Sequence, residues 1–209
     1  MRALILVDIQ NDFVAGGSLE VPFGEQIIPL VNQLSEKFDL VVATQDWHPP
    51  THKSFASNHP GKHPFEKTML GGLEQVLWPD HCVQGSPGAD FHHNLNLHRV
   101  EAIFRKGMDP EIDSYSGFYD NGHKKSTGLT GYLKERNATS VYVCGLAGDY
   151  CVYFTAKDSL QAGFKTLVIA DATRAISNND FEKAKQDITR LGGDLIDSNM
   201  LVPDEQSGI

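Results

Sequence analysis

Cys151, Asp8 and Lys106 are the residues of this chain best placed for covalent chemistry, because each lies at or just beyond the end of an apolar run. Cys151 follows Gly145-Leu146-Ala147-Gly148-Asp149-Tyr150 and opens a stretch of helical character. A helix N-terminus offers unpaired N–H groups and the positive end of the dipole, which lower a thiol pKa and make sulfur a nucleophile. The same N–H groups can form an oxyanion hole. Asp8 closes the run Ala3-Leu4-Ile5-Leu6-Val7, where a carboxylate must be paired or hold its proton more tightly. Lys106 gains meaning as a cation able to pair with Asp8 and with a thiolate. Taken singly, each has a plainer reading as a structural thiol, a capping acid or a solvated strand-end lysine. Cys82 and Cys144 keep that structural reading.

Histidine points to a metal. Eight of the nine histidines fall between His48 and His98. Asp46 and His48 are two apart, so in an extended segment their side chains share a face. His81, within Trp78-Pro79-Asp80-His81-Cys82, could supply a third ligand. Two or three histidines with one carboxylate suit zinc, iron or manganese, with positions left for water or substrate. His52, His59 and His63 compete for the role but read as loop-surface residues.

Positioning these groups requires an alternation of strands and helices. Residues 3–8 and 39–45 read as buried strands around a helix over 24–38, with Pro29 tolerable only in its first turn. Periodicity vanishes from 46 to about 97, an excursion too long for a plain loop and therefore expected to carry the site. Strands follow at 99–106, 140–144, 165–170 and 194–196. Helices are expected at 127–136 behind a Ser/Thr cap, at 150–162, and at 179–191 capped by Asn178 or Asn179. The pattern predicts one α/β domain over 1–209, a doubly wound and mainly parallel sheet of about six strands with helices on both faces. Ligands bind such sheets outside the carboxyl ends of the strands, and that rim is where Asp8, Asp46, His48, Lys106 and Cys151 converge.

Composition narrows the function. Acidic residues outnumber basic ones, 27 to 18, so nothing favours nucleic acid or an anionic membrane as partner. The apolar N-terminal run is short and soon acidic, unlike a signal peptide or membrane span. Three cysteines without paired spacing imply no disulfide framework and a cytoplasmic setting.

Five blocks in order, LILVDIQNDFVAGGSLEV, TQDWHPPTHKSFAS, WPDHCVQGSPGADFH, FRKGMDPEIDSYSGFYDNG and VCGLAGDYCVYFTAKDS, carry a family resemblance over almost the whole chain. The sequence resembles the nicotinamidase (pyrazinamidase) branch of the isochorismatase-like cysteine hydrolases. The resemblance implies Cys151 as nucleophile, Asp8 as acid/base partner and Lys106 as third member of a triad. It implies Asp46, His48 and His81 as ligands of one divalent ion, zinc or else iron or manganese, and an aromatic pocket from Phe13, Trp78 and Tyr115. It also implies an oxyanion hole from the backbone N–H groups of Ala147 and Cys151, with a cis peptide before Ala147. The activity implied is hydrolysis of nicotinamide, and of pyrazinamide, through a thioester, in NAD salvage. Association into a homo-oligomer stays open. Gly148 departs from the threonine usual in the family, which loosens the loop beside the oxyanion hole. Relatives acting on N-carbamoyl or ureido substrates share the Cys-Asp-Lys set but generally lack the D-x-H pair, which makes them the alternative.

Overall fold

The computed structural model describes residues 1–201; the end of the expected domain, 202–209, lies outside the described residues. Strand β1 (Arg2–Val7) is buried along nearly its whole length, and β2 (Leu40–Asp46) along all of it. Such strands read as continuous apolar runs because helices cover both faces of a parallel sheet. With β5 (Val100–Lys106), β6 (Ser140–Gly145), β7 (Lys165–Thr173) and β8 (Asp194–Ile196) they form a six-stranded sheet. Its order is β5-β2-β1-β6-β7-β8, and every pairing is parallel.

Alternate residues of β1 serve two cores. Leu4 and Leu6 pack with Ile28, Val31 and Leu34 of α1 (Ile28–Ser35) on one face. Ala3, Ile5 and Val7 pack on the other with Leu129 and Leu133 of α2 (Leu129–Glu135), Ala156 of α3 (Tyr153–Gln161) and Ile188 of α4 (Asn178–Arg190). The chain thus winds from β1 through α1 to β2 on one side and from β6 through α3 to β7 on the other. That change of direction leaves a crevice above the ends of β1 and β6, where such sheets bind ligands.

Several elements differ from their sequence reading. The helix expected over 24–38 is a 3-10 turn, Gly24–Ile27, followed by α1, with Pro29 in its first turn. Helix α2 is entered through Gly128 in a left-handed conformation, while Thr127 Oγ1 accepts from Leu129 N at 3.2 Å. Ser177 rather than an asparagine caps α4, its side chain accepting from Asp180 N. The excursion after β2 contains an antiparallel hairpin, β3 (Lys67–Leu70) and β4 (Leu73–Val76). Its side chains are exposed on much of both faces, so no apolar alternation marks it; Gly71-Gly72, both at positive φ, make the turn. Among the described residues no helix is long and apolar enough to cross a membrane.

Gly145 sets how closely β6 approaches β1. It adopts φ +123°, and a Cβ there would stand 2.2 Å from Val7 O. Gly145→Ala should therefore destabilise the chain, with backbone strain and overpacking each costing about 1–3 kcal/mol. Gly131, in α2 with nothing within 4 Å of its added Cβ, is the control, since Gly131→Ala should stabilise by roughly 0.5–1 kcal/mol. Urea unfolding of both variants checks the contrast.

Candidate active site

The chain turns sharply after β1. Asp8 takes φ +47°, a left-handed conformation that aspartate tolerates better than most residues. Its Oδ1 accepts from Thr44 Oγ1 at 2.6 Å, and its Oδ2 lies 2.8 Å from Lys106 Nζ. Lys106, at the end of β5, is 2% exposed. Its ammonium also donates to Asp46 Oδ1 at 3.0 Å and to Ser114 O at 3.0 Å, and stands 3.5 Å from Cys151 Sγ. The three groups singled out for covalent chemistry meet, and Asp46 joins them.

Burial works against every charge here, and neighbours decide the outcome. Burial would push Lys106 down, but Asp46, Asp8 and Cys151 beside it raise its pKa well above the usual lysine value. Burial would push Asp46 up, yet His48 and Lys106 hold it well below the usual carboxylate range. Asp8 is raised, chiefly by burial and further by Asp46, against the pull of Lys106. The Cys151 thiol is pushed well up by burial, with Lys106 opposing and Asp8 and Asp46 adding to the shift. This reverses the depressed thiol expected from a helix terminus. The turn bearing Cys151 is a π turn, Gly148–Val152, ahead of α3, and it delivers the sulfur into a buried site with two carboxylates. Asp8, beside the sulfur, is thus a carboxylate whose proton affinity burial raises.

The loop into that turn contains the cis Leu146–Ala147 peptide implied by the resemblance. Gly148 N, Tyr150 N and Val152 N donate to Arg174 O, Ala147 O and Ala147 O, whereas Ala147 N has no backbone acceptor among the described residues. The Asp149 carboxylate ties the loop down by accepting from Ile176 N and Ser177 N. Gly148 has its own explanation: a Cβ there would lie 2.9 Å from Phe181 and Thr173. Phe181 occupies the space that a larger residue at 148 would need.

Asp46, His48 and His81 meet with donor atoms all within 4.8 Å of one another. His48 Nε2 is 2.9 Å and His81 Nε2 3.4 Å from Asp46 Oδ2. His48 Nδ1 bonds Gly107 O at 2.9 Å and His81 Nδ1 bonds Pro79 O at 2.8 Å. A carbonyl only accepts, so each Nδ1 carries hydrogen, and in the neutral rings both Nε2 lone pairs remain beside a carboxylate oxygen. Such a set of electron-rich atoms fits a cation, and carbonyl-oriented rings are the usual surroundings of one. Gly107 is required here, since a Cβ would stand 2.4 Å from His48 Cε1.

Two supporting residues escaped the sequence reading. Gln10 bridges to Asp46, its Oε1 accepting from Asp46 N and its Nε2 donating to Asp46 O, and so continues the pairing of β1 and β2 past the Asp8 turn. Asp12 Oδ2 accepts from Cys82 N at 2.7 Å and holds the turn after His81. Both lie in the Asp8-to-Phe13 block, whose polar residues were the available signal. His52 corrects an expectation. Rather than lying on the surface it is wholly buried, 4.4 Å from the His48 ring, and burial with His48 pushes it down to about 4. His63 is exposed as expected, and His59 is half-buried.

A cavity opens above Cys151, lined by Phe13, Leu19, Asp46, Trp78, His81, Asp113, Tyr115, Ala147, Tyr150, Cys151 and Ile176. All three aromatics named from sequence are there. Tyr150, 4.9 Å from Trp78 and 5.3 Å from Tyr115 between ring centroids, was missed despite standing next to Cys151. Gln75 Nε2, on the hairpin, donates to Tyr115 Oη at 2.9 Å and to Asp113 Oδ2 at 3.0 Å, fastening the excursion to this wall.

The sequence matches the isochorismatase domain family over residues 2–200. It is 50% identical to a nicotinamidase of Acinetobacter baylyi (strain ATCC 33305 / BD413 / ADP1) over 202 residues, 96% of this chain and 94% of that one. A solved Acinetobacter baumanii nicotinamidase/pyrazinamidase superposes with a TM-score of 0.94 at 51% identity, covering 96% of this chain and 98% of that one. The pyrazinamidase of Pyrococcus horikoshii, solved in complex with zinc, gives 0.77 at 38% identity, covering 94% and 98%.

If Lys106 is what favours the thiolate, Lys106→Ala should move the pH at which Cys151 becomes reactive further upward. The check is the rate of iodoacetamide labelling of the Cys151 peptide from neutral pH upward, read by mass spectrometry. Slower labelling in the variant is expected; superimposed profiles would leave Lys106 without influence on the sulfur.

Proposed function

We infer, from the premise that this chain belongs to the isochorismatase domain family, that it is a nicotinamidase, hydrolysing nicotinamide to nicotinate and ammonia and accepting pyrazinamide. The observation that carries this reading is the juxtaposition of Cys151, Asp8 and Lys106 with the Asp46-His48-His81 cluster across one aromatic-walled cavity. Its physiological role would be salvage of the pyridine ring for NAD in the cytoplasm.

Substrate enters with its ring against Phe13, Trp78, Tyr115 and Tyr150 and its carboxamide toward Cys151. Asp46, His48 and His81 would hold one divalent ion, zinc or else iron or manganese, which supplies a Lewis-acid site for the ring nitrogen. Positioning the carboxamide carbon against the sulfur removes orientational entropy from the barrier. As Sγ attacks, its proton passes to Asp8, which burial has made the better base. The oxyanion is met by Ala147 N–H and Cys151 N–H. Asp8 then returns the proton to the departing nitrogen, the C–N bond breaks, and ammonia leaves a thioester on Cys151. Water attacks the thioester as Asp8 takes its proton, the C–S bond breaks as Asp8 passes that proton to sulfur, and the thiol is regenerated while the acid leaves and ionises to nicotinate. Lys106 stays protonated throughout and balances whichever of Asp8 and Cys151 carries the negative charge.

Ammonia release by the purified protein tests this. Cys151→Ala should abolish turnover of nicotinamide, and Asp8→Asn should lower it by about 10²–10⁴-fold, while Cys82→Ala and Cys144→Ala retain measurable activity. An active Cys151→Ala enzyme would sink the mechanism.

Ring-nitrogen dependence separates this reading from other amidases of the family. Nicotinamide and pyrazinamide both carry nitrogen meta to the carboxamide, whereas benzamide has none and picolinamide has it ortho. Losing a positioning contact costs on the order of 10²-fold, so kcat/KM for benzamide and picolinamide should fall by at least that much. Comparable values for nicotinamide and benzamide would contradict it.

A further inference from the structure

Asp8 carries protons in the proposed mechanism, and its two oxygens have different surroundings. Thr44 Oγ1 donates to Oδ1 at 2.6 Å, while Oδ2 is buried and has no hydrogen-bond partner among the described residues. Lys106 Nζ stands 2.8 Å from Oδ2, yet its donors go elsewhere, to Asp46 Oδ1, Ser114 O and Cys151 Sγ. An ammonium has three hydrogens, and these contacts account for all of them. Its attraction for Oδ2 is therefore one of charge, with no hydrogen between the two atoms. A buried carboxylate oxygen without a donor is costly unless a hydrogen comes from elsewhere. A proton on Oδ2 supplies it.

Thr44 is held so that its hydroxyl meets Asp8. It is fully buried in β2 and is the register partner of Val7, the residue before Asp8. Its methyl lies where Gly117 has no side chain, since a Cβ at Gly117 would stand 2.6 Å from Thr44 Cγ2. Gly117 is fixed in turn, its N–H donating to Thr155 Oγ1 at 2.9 Å and its carbonyl accepting from Thr127 Oγ1 at 2.7 Å. A β-branched side chain is stiff at χ1, so placing the methyl against Gly117 also places the hydroxyl.

We propose that Thr44 is a positioning residue for Asp8, holding Oδ1 so that Oδ2 is the atom that takes the proton from Cys151 Sγ and passes it to the departing nitrogen. This rests on the reading of Cys151 as nucleophile and Asp8 as its acid/base partner. As Sγ bonds to the carboxamide carbon, the S–H bond breaks and the proton joins Oδ2, while Oδ1 becomes the carbonyl oxygen of the acid and keeps the Thr44 hydrogen bond. Without that bond the carboxyl can turn about its last torsion, which is broad for aspartate, and neither oxygen is fixed toward the sulfur.

Three variants separate the hydroxyl from the space around it. Thr44→Val keeps the shape and loses the donor, Thr44→Ser keeps the donor and loses the methyl, and Gly117→Ala drives a methyl into Thr44 Cγ2. In the metal-loaded enzyme, Thr44→Val should lower kcat and kcat/KM for nicotinamide together by about 10–100-fold with KM nearly unchanged, the pattern of a contact that counts in the transition state. Thr44→Ser should recover most of the loss. Gly117→Ala should fall as Thr44→Val does, and adding Thr44→Ser, which removes the crowded methyl, should restore part of its rate. Equal loss in Thr44→Ser and Thr44→Val would make packing of the methyl the cause. An unaffected Thr44→Val, or a loss confined to KM, would deny Thr44 any hold on Asp8. Each of these overturns the proposal. Infrared difference spectra give a readout that needs no turnover. The C=O stretch of protonated Asp8, identified by its absence in Asp8→Asn, should be the same in wild type and Thr44→Ser and move to higher frequency in Thr44→Val, where Oδ1 loses its donor. A band that stays in place in Thr44→Val would put the proton on Oδ1 and overturn the proposal. If the band moves as expected while the wild type releases no ammonia from nicotinamide, the substrate reading fails and the assignment of the proton to Oδ2 stands.

Discussion

The site depends on one buried ammonium. Lys106 Nζ lies within 3.0 Å of two carboxylates that are themselves buried, those of Asp8 and Asp46, and it faces the Cys151 sulfur. Charges taken from water are tolerable only when compensated at short range. Here a single cation compensates two anions, and it is fully enclosed in doing so. Because Asp46 belongs both to this ion pair and to the His48–His81 cluster, the halves that would do acyl chemistry and hold a metal share one electrostatic unit. Altering either half changes the field in which the other works.

The sheet builds this unit by register. Asp46 and Lys106 are register partners across β2 and β5, and Val7 pairs with Thr44 across β1 and β2. Neighbours in register on parallel strands place their side chains together, so the Lys106–Asp46 contact follows from strand alignment. Asp8 is one residue past Val7, and its left-handed turn brings its carboxyl to the same point, steadied by Thr44. Cys151 comes from the far side of the crevice, across the close approach that Gly145 permits between β6 and β1. Three strand ends and one turn thus meet where the winding direction reverses.

Much of this was legible in the sequence for a physical reason: strands buried on both faces write themselves as uninterrupted apolar runs, and polar residues that end such runs stand out. β1, β2 and β6, with Asp8, Asp46 and the turn to Cys151, were readable in that way, His81 was open as a third ligand from the histidine-rich stretch, and the resemblance added the aromatic wall. What stayed hidden is of two kinds. The β3–β4 hairpin is stabilised by its turn and its own ladder rather than by a buried face, so periodicity does not mark it. Gln10, Asp12, Gln75 and His52 act through contacts distant in sequence, and their residue types are common in surface loops. The thiol illustrates the limit best. A helix terminus visible in the sequence argued for a lowered pKa, while burial and two carboxylates, visible only in space, raise it.

Whether Lys106 compensates the buried carboxylates is read from a double-mutant cycle on unfolding free energy with Asp8→Asn and Lys106→Met. Removing one partner of a buried ion pair costs about 3–5 kcal/mol, largely because the other is left uncompensated. Lys106→Met alone should therefore be strongly destabilised, and adding Asp8→Asn should restore part of the loss, a coupling of about 0.5–3 kcal/mol. Strictly additive effects of the two substitutions would contradict it.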